Sequence, residues 1–343
     1  VSLKPATAQT YKVIIENDVI RKIPTFLKKL KSGQKYAIIT DSKVGKLYGF
    51  AFVRFLKNNG IDCEMFSFPE GEISKNLKTV ETLAAQLLDK KFDRKDAILS
   101  LGGGVVGDIA GFLASIYMRG IPYIQIPTTL LAMVDSSIGG KTGVDLSEGK
   151  NLIGTFNQPK AVFIDTNYLK TLSKTQVRNG LAEIIKYSVI FDEKLFTFIE
   201  KHLQEILSLE PKTLNKIIAQ SIAIKSKIVE KDEKENGERM LLNYGHTYGH
   251  IIEKLSGYKL LHGYAISIGM VLANRLAVEK KLLDKKSAER IKNILMKAEL
   301  PIATMKIPSI KDLSSDKKKH GDFINFILPT KIGKAVIHKE KCL

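Results

Sequence analysis

The stretch LSLGGGVVGDIAG, residues 99–111, runs from a short apolar segment through three consecutive glycines into a second apolar segment. This pattern predicts a buried strand, a tight turn and a helix. Gly102, Gly104 and Gly107 match the G-x-G-x-x-G spacing, in which glycines let backbone N–H groups approach a pyrophosphate at a helix N-terminus. The motif is weak by itself, because a purely structural turn also selects glycines.

The segments around this turn alternate between strand and helix patterns. Apolar and β-branched runs predict strands at residues 35–41, 61–68, 96–104, 122–129 and 161–166, with helical patterns at 47–56 and 77–88. Such alternation is typical of a mostly parallel sheet covered by helices. From about residue 173 helical periodicity dominates, at 179–190, 211–231, 246–256, 264–280 and 285–298. We predict an α/β N-terminal domain with a mostly parallel, Rossmann-like variant sheet (residues 1–172) and a mainly α-helical C-terminal domain (173–343).

The glycine turn departs from the usual dinucleotide fingerprint in two ways. It follows several predicted strands rather than the first, and the next strand ends in Pro127, Thr128 and Thr129 rather than in an acidic residue. Asp41, at the end of an earlier predicted strand, is the alternative candidate for binding a ribose hydroxyl. We interpret the pattern as a dinucleotide site in a variant α/β fold.

The composition is that of an ordinary globular protein. Of the 343 residues, 44% are hydrophobic and 26% are charged, and we expect neither a membrane span nor a signal peptide. The cysteines, Cys63 and Cys342, are far apart, which favours a reduced, cytoplasmic protein. The net charge of +18 comes from scattered lysines without a nucleic-acid-binding motif. We therefore favour an enzyme for anionic metabolites over a nucleic-acid-binding module.

Two histidines lie four residues apart in LLNYGHTYGHIIEKLSG, residues 241–257. In a helix the rings of His246 and His250 leave the same side, as in the zinc motif H-E-x-x-H. That motif has glutamate where Thr247 stands here, so a metalloprotease site is a poor interpretation. The pair is therefore a metal site, half of one, or two unrelated residues on one helix face.

Further metal ligands have to come from other segments, because a catalytic zinc site needs about three. Candidates are Glu253 on the same helix face, Glu183 in NGLAEIIKYSVI and His262 in LLHGYAISIGM. Spacing alone does not select among them. By spacing alone, Glu183 and Lys186, three residues apart, are better explained as an exposed ion pair worth about 0.3–0.5 kcal/mol.

Basic and amide side chains flank several of these segments. Arg119 lies in YMRG, Lys141, Lys150 and Asn151 lie in GGKTGVDLSEGKN, and Arg239 and Asn243 lie in ERMLLN. Lysine and arginine in such loops suit the phosphate or carboxylate groups of a polyhydroxylated substrate.

Eight motifs together resemble the 3-dehydroquinate synthase family in order and spacing. They are PEGEISK, GGGVVGD, MRG, IPTTLLAMVDSSIGGKTGVD, GKNLIGTFNQP, LAEIIKY, LNYGHTYGH and LHGYAISIGM, with a weaker echo in DKKKHGDFINFILPTKIG at residues 316–333. The resemblance implies a homodimeric lyase that converts 3-deoxy-D-arabino-heptulosonate 7-phosphate to 3-dehydroquinate and phosphate. This is a step of the shikimate pathway of aromatic amino-acid biosynthesis. The implied cofactors are NAD and one divalent metal, zinc or alternatively cobalt.

The resemblance also implies roles for individual residues. The metal ligands would be Glu183, His246 and His262, and His250 would instead contact substrate and relay protons. NAD contacts would fall on Asp41, Glu72, Lys75, Gly103, Gly104, Asp108, Thr128, Thr129, Lys141 and Lys150. Substrate contacts would fall on Arg119, Asp135, Lys141, Asn151, Lys186, Lys225, Arg239, Asn243 and His250. Of these, the residues implied to act in catalysis are His250, Lys141, Lys186, Arg239 and Asn243.

One position departs from the family pattern. The family commonly has glutamate directly after the His-Gly pair, where this chain has Tyr264. The departure leaves the ligand His262 in place but leaves open which residue supports it.

Two other enzyme classes share these features. Another sugar phosphate cyclase would apply the same chemistry to a different sugar phosphate, and a metal-dependent NAD polyol dehydrogenase would release NADH. Phosphate release without net NADH production distinguishes the cyclases from the dehydrogenase.

Overall fold

The computed structural model describes residues 10–30, 33–235, 237–305, 319–320 and 323–341. The chain divides into two compact units, Val1–Tyr168 and Leu169–Leu343. The C-terminal motif echo at 316–333 is described only in part, because residues 316–318 and 321–322 lie outside the described residues, as does Cys342.

The first unit alternates strands and helices along the chain. Its strands are β1 (Lys12–Ile15), β2 (Tyr36–Asp41), β3 (Cys63–Phe68), β4 (Ala97–Gly102), β5 (Tyr123–Pro127), β6 (Lys141–Leu146), β7 (Gly149–Phe156) and β8 (Ala161–Ile164). Its helices are α1 (Ile23–Leu30), α2 (Ser42–Val44), α3 (Phe50–Asn58), α4 (Leu77–Asp89) and α5 (Gly104–Ile116). Six of the strands form one sheet in the order β1-β8-β5-β4-β2-β3, and every pairing in it is parallel.

The central strands of this sheet are buried on both faces. All residues of β4 and β5 are buried, as is β2 except for its last residue. Strands of this kind are continuous apolar runs, which is why the sequence shows them clearly. The predicted α/β unit with a mostly parallel sheet is confirmed. Strand β1 was not predicted, because its four residues are partly exposed and carry too short a pattern.

The order of the strands reverses between β2 and β4. The chain passes from β2 outward to β3, then returns to the other side of β2 as β4 and continues to β5. Open α/β sheets bind ligands at the carboxyl ends of the strands at such a reversal. Asp41 ends β2 and the glycine turn follows β4, so both lie at this edge.

The second unit is mainly helical. Its helices are α6 (Lys174–Phe191), α7 (Glu193–Leu207), α8 (Pro211–Lys231), α9 (His246–Leu255), α10 (His262–Glu279) and α11 (Lys285–Lys297). They are followed by strands β9 (Lys319–His320), β10 (Phe323–Lys331) and β11 (Lys334–Lys341), which form a small antiparallel sheet. The predicted mainly helical character of the C-terminal region is confirmed, whereas this sheet was not predicted. Among the helices in the described part of the chain, none has the length and apolarity of a membrane span.

Helices α6 and α10 form the core of the second unit. Both are buried around most of their circumference, which is typical of a central helix. They approach closely at Gly263, where an added Cβ would lie 2.0 Å from the carbonyl oxygen of Asn179. Glycine is therefore required directly after His262, and α6 and α10 bring their side chains into one site.

Candidate active site

Helix α6 presents a charged pair inside the protein. Glu183 is fully buried and Lys186 is 2% exposed, with Glu183 Oε2 only 2.6 Å from Lys186 Nζ. The alternative interpretation of these residues as an exposed ion pair is therefore wrong. A buried carboxylate is strongly destabilising unless a cation lies beside it, so Lys186 neutralises part of the charge of Glu183.

His246 is the first residue of α9. It follows Gly245, whose φ of 78° and close approach to α10 both require glycine: an added Cβ would lie 2.9 Å from the Ile266 carbonyl oxygen. The Nδ1 atom of His246 is 3.0 Å from the carbonyl oxygen of Tyr244. Since a carbonyl can only accept, Nδ1 carries the hydrogen. The lone pair of Nε2 then faces Glu183, with Nε2 3.6 Å from Oε1.

His262 is the first residue of α10 and is oriented in the same way. Its Nδ1 lies 3.1 Å from Glu253 Oε2, and its Nε2 lies 3.3 Å from Glu183 Oε1. The carboxylate of Glu253 accepts the Nδ1 hydrogen, so Nε2 again faces Glu183. The side-chain oxygen of Asn179 accepts a hydrogen bond of 2.7 Å from Gly263 N and holds the first turn of α10 against α6.

These three residues fit a divalent metal ion. The ligand atoms of Glu183, His246 and His262 lie within 4.8 Å of one another. Once Nε2 of His262 has lost its proton, two imidazole lone pairs and a carboxylate oxygen repel each other unless a metal ion lies between them. Tetrahedral zinc with bonds of about 2.0–2.1 Å places its ligand atoms about 3.3 Å apart, which agrees with the two Nε2–Oε1 distances of 3.3 and 3.6 Å.

The electrostatics of His262 lead to the same conclusion. Burial lowers the pKa of His262, but its hydrogen bonds to Glu183 and Glu253 outweigh burial and raise the pKa to about 10. The carboxylates around this ring therefore attract a cation strongly. A metal ion has to displace the proton, as is general for histidine ligands.

His250 is placed differently from His246, although they share a helix face. Its ring centroid is 5.2 Å from that of His246 and 6.0 Å from that of His262. It belongs to a second group of possible ligands, with Glu253 and His262, rather than to the group around Glu183. The second group shares His262, whose Nδ1 is already hydrogen-bonded to Glu253.

The remaining candidates of the second unit are held by their own loop or helix. Arg239 is 2% exposed, and its guanidinium donates a hydrogen bond to the carbonyl oxygen of Glu233. Asn243 Nδ2 donates to Glu235 Oε1 at 2.6 Å, and Arg239 and Asn243 both lie in the short 3₁₀ helix Glu238–Asn243. Lys225 is buried on α8, which contacts this 3₁₀ helix.

In the first unit, five of the candidates form a polar network. The amino group of Lys75, 5% exposed, donates to Asp108 Oδ2 and to Asn151 Oδ1, both at 2.6 Å. Lys150 Nζ lies 3.5 Å from Glu72 Oε1. Burial lowers the pKa of Lys75, but the charges of Asp108 and Glu72 outweigh burial and raise it, so the ammonium stays charged.

The glycine turn presents backbone rather than side chains. Gly103 precedes the 13-residue helix α5, and in the part of the chain that the structure describes no side chain caps this helix. An added Cβ at Gly104 would lie 3.1 Å from Ser136 Oγ, and one at Gly103 would lie 3.0 Å from Thr129 Cγ2. Thr128 is held beside the turn by its N–H bond to Gly102 O. Uncapped N–H groups in a glycine cradle suit a pyrophosphate, so the turn fits NAD.

Three other predicted site residues of the first unit are not part of the glycine turn. Asp41 Oδ1 accepts from the N–H groups of Lys43 and Val44, so this residue caps α2. Arg119 follows the C-terminal end of α5, about 20 Å from the glycine turn by the length of the helix. Lys141 begins β6 and is exposed.

Asp135 lies in the short π-helix Ala132–Ser136, which packs against α5. Ser136 of the same segment is the residue that an added Cβ at Gly104 would meet. Asp135 is thus on the segment beside the glycine turn.

Sequence reasoning did not identify Asn179 or the acceptor role of Glu253. Asn179 lies one helical turn before Glu183 in the sequence, and its burial is seen only in the structure. Glu253 was a candidate ligand from its helix face. The structure instead places its carboxylate on the far side of the His262 ring from Glu183.

Comparisons with known proteins agree with this geometry. Residues 65–179 match the family described as 3-dehydroquinate synthase N-terminal, and residues 180–320 match 3-dehydroquinate synthase C-terminal. A 3-dehydroquinate synthase of Prochlorococcus marinus (strain MIT 9312) is 46% identical over 346 residues, which cover 98% of this chain and 95% of the relative.

Two solved structures are similar over nearly the whole chain. A 2-epi-5-epi-valiolone synthase from Streptomyces hygroscopicus subsp. jinggangensis, with NAD+ and Zn2+ bound, superposes with a TM-score of 0.91 at 28% identity, covering 99% of this chain and 95% of the other. A 2-deoxy-scyllo-inosose synthase, complexed with carbaglucose-6-phosphate, NAD+ and Co2+, gives 0.87 at 27% identity, covering 97% and 93%.

Proposed function

Because this chain belongs to the 3-dehydroquinate synthase family, we propose that it converts 3-deoxy-D-arabino-heptulosonate 7-phosphate to 3-dehydroquinate and phosphate. The structural observation that supports this proposal best is the convergence of the Nε2 atoms of His246 and His262 on Glu183 Oε1. The reaction eliminates phosphate by breaking a carbon–oxygen bond of the substrate, which makes the enzyme a lyase of the shikimate pathway.

The proposed metal ligands are Glu183, His246 and His262. Zinc is the preferred ion, since one carboxylate oxygen and two imidazole nitrogens suit it, and cobalt is the alternative. The two similar structures carry Zn2+ and Co2+, each together with NAD+. When bound, the metal supplies a Lewis acid, and NAD supplies a hydride acceptor that returns the hydride within the cycle.

In the second unit, the chain's own residues position charges and protons. Lys186, with its ammonium 2.6 Å from Glu183, is proposed to hold that carboxylate in place and to contact substrate oxygens. His250, one helical turn from His246, is proposed to relay protons, which suits an imidazole near neutral pH. Lys225, Arg239 and Asn243 are proposed to bind the anionic and hydroxyl groups of the substrate.

In the first unit, the proposed NAD site is built around the glycine turn. The N–H groups after Gly103 and Gly104 are proposed to bind the pyrophosphate. The other proposed NAD contacts are Asp41, Glu72, Lys75, Asp108, Thr128, Thr129, Lys141 and Lys150. The proposed substrate contacts of this unit are Arg119, Asp135, Lys141 and Asn151. Lys75 holds Asp108 and Asn151 on either side of one ammonium, so it fixes a proposed cofactor contact relative to a proposed substrate contact.

Another sugar phosphate cyclase is the second candidate, because both similar structures belong to cyclases with other products. Their identities of 28% and 27% are well below the 46% shared with the 3-dehydroquinate synthase relative, which favours the first proposal. The homodimer implied by the resemblance is also a proposal, and light scattering of the purified protein tests it.

The decisive assay supplies the purified chain with the heptulosonate phosphate, NAD and zinc. We expect phosphate and 3-dehydroquinate in equal amounts, with no net NADH. Turnover of another sugar phosphate but not of the heptulosonate would identify a different cyclase. NADH accumulation without phosphate release would identify a dehydrogenase.

A further inference from the structure

Glu253 is a buried carboxylate on α9 that lies next to a proposed metal ligand without belonging to the ligand set. It is 3% exposed, and its Oε2 is 3.1 Å from His262 Nδ1. We propose that Glu253 is a positioning residue for the metal centre. It accepts the hydrogen of His262 Nδ1, which leaves Nε2, on the side of Glu183, as the atom that binds the metal. This inference rests on the proposed metal site of Glu183, His246 and His262.

A neutral imidazole has two tautomers, with its one hydrogen on either Nδ1 or Nε2. A histidine binds a metal through the nitrogen that has no hydrogen, so the acceptor at the other nitrogen selects the ligand atom. At His262 the selected atom is Nε2, 3.3 Å from Glu183 Oε1. Without an acceptor at Nδ1, the ring is free to carry its hydrogen on Nε2, where it would exclude a metal ion.

The two histidines of the proposed site use different acceptors. His246 donates to the carbonyl of Tyr244, which is part of the backbone and survives any side-chain substitution. His262 donates to a carboxylate, whose negative charge also raises the basicity of the ring. The contribution of Glu253 can therefore be removed by mutation and separated into its hydrogen bond and its charge.

The carboxylate that contacts His262 Nδ1 belongs to Glu253 of α9, and not to a residue that follows the histidine in α10. The position after the His-Gly pair is Tyr264, which offers no carboxylate. Helix α9 instead supplies both His246, at its start, and Glu253, two turns further along. One short helix thus provides a ligand of the metal site and the support for the ligand that α10 contributes.

The alternative to the positioning role is that Glu253 itself binds a metal ion. Glu253, His250 and His262 have ligand atoms within 4.8 Å of one another. The Nδ1 atom of His262 cannot donate a hydrogen bond to Glu253 and bind an ion at the same time. The positioning role therefore predicts one metal ion per chain, whereas the ligand role predicts a second.

The test measures zinc binding to the full chain after metal removal, by competition with a chromophoric chelator. Glu253→Ala should weaken zinc binding by about 10–100-fold, the usual effect of losing such a carboxylate. Glu253→Gln keeps an acceptor oxygen and the side-chain shape, so it should weaken binding by less. Lys254→Ala, at the exposed neighbouring position, should bind zinc as the wild type does.

Cobalt provides a second readout that is independent of activity. The visible spectrum of the Co2+-loaded chain reports the ligand field, and Glu253→Ala should change it while Lys254→Ala should not. Thermal unfolding of the metal-free variants separates a loss of folding from a loss of metal binding. If Glu253→Ala does not fold, the smaller loss of zinc affinity in Glu253→Gln still supports the proposal.

The possible outcomes separate this inference from the proposed function. Equal zinc affinity in the wild type, Glu253→Ala and Glu253→Gln would overturn the positioning role and leave the metal centre intact. Two zinc ions per wild-type chain, reduced to one in Glu253→Ala, would make Glu253 a ligand and also overturn it. A wild-type chain that binds no zinc would overturn the proposed metal centre itself.

Discussion

Asn179 Oδ1 accepts a hydrogen bond of 2.7 Å from the backbone N–H of Gly263. This hydrogen bond links the helix that carries Glu183 to the helix that begins with His262. Asn179 lies one turn before Glu183, and Gly263 directly follows His262. The contact therefore helps to set the distance between two proposed metal ligands, although neither residue touches the metal.

Removing this contact should destabilise the fold. Asn179→Ala leaves the buried N–H of Gly263 without its acceptor, which costs about 1–3 kcal/mol in the free energy of unfolding. Chemical denaturation measures this change. The matched control is Gln176→Ala, because Gln176 accepts from the other end of the Asn179 amide and leaves the Gly263 contact intact. If the two variants are equally stable, the contact does not hold α10 against α6.

Loss of a proposed ligand should remove the metal. His262→Ala deletes one of three ligands in a site where each contributes directly to binding, so the purified variant should not retain stoichiometric zinc. Elemental analysis after dialysis gives the zinc content. His202→Ala is the control, since this histidine lies on α7 and pairs with Glu205. Full zinc occupancy in His262→Ala would mean that the ligand set is wrong.

The glycine turn can be tested by adding one carbon atom. Gly104→Ala should weaken NAD binding, because a side chain at the first residue of α5 obstructs the approach of a pyrophosphate to the backbone. The added Cβ would also press on Ser136 Oγ at 3.1 Å, which is a structural effect. Ser136→Ala removes that contact. Calorimetric titration should find NAD binding as weak in the double variant as in Gly104→Ala, and full recovery would show that the turn has only a structural role.

The sequence was sufficient to predict the elements whose pattern is local. Strand β4 and the start of α5 follow from a buried apolar run, glycines and a second apolar run. The β10–β11 hairpin was missed, because β11 alternates partly buried and exposed residues with several lysines and resembles a polar surface segment. Periodicity does not reveal a strand whose stabilising contacts come from a distant helix.

The site shows the same limit. Spacing gives His246 and His250 equal standing, because both rings leave α9 on one side. The difference between them comes from the Tyr244 carbonyl and from Glu183, 63 residues upstream of His246 in the chain. Likewise, spacing favoured an exposed pair at Glu183 and Lys186, and burial of these residues depends on the packing of α6 against the other helices.

The Lys75 network leads to a prediction about stability and its pH dependence. Lys75→Met removes the ammonium 2.6 Å from Asp108 and leaves a carboxylate without its main countercharge, which should cost about 3 kcal/mol. The pKa of Asp108 is then raised further in the folded state. A raised carboxyl pKa means that the folded state binds more protons, so the deficit should shrink as the pH falls.

A double variant provides the control for this network. Lys75→Met with Asp108→Asn removes both charges, so it should recover most of the lost free energy of unfolding at neutral pH. Denaturation at several pH values measures this recovery and the pH dependence of the deficit. A deficit in Lys75→Met that is independent of pH would contradict the electrostatic explanation.

A variant of His250 distinguishes two interpretations of this histidine, as a proton relay or as a metal ligand. As a proton relay it should be dispensable for metal and NAD binding but needed for turnover, so His250→Ala should keep both and lose about 10²–10⁴-fold in kcat. If His250 is instead a metal ligand, His250→Ala should lose the metal. The ring of His250 is 6.0 Å from that of His262, and His250 belongs to the group with Glu253 rather than with Glu183, which favours the relay. Zinc content and kcat measured on the same preparation decide, and a zinc-depleted His250→Ala protein would contradict the relay.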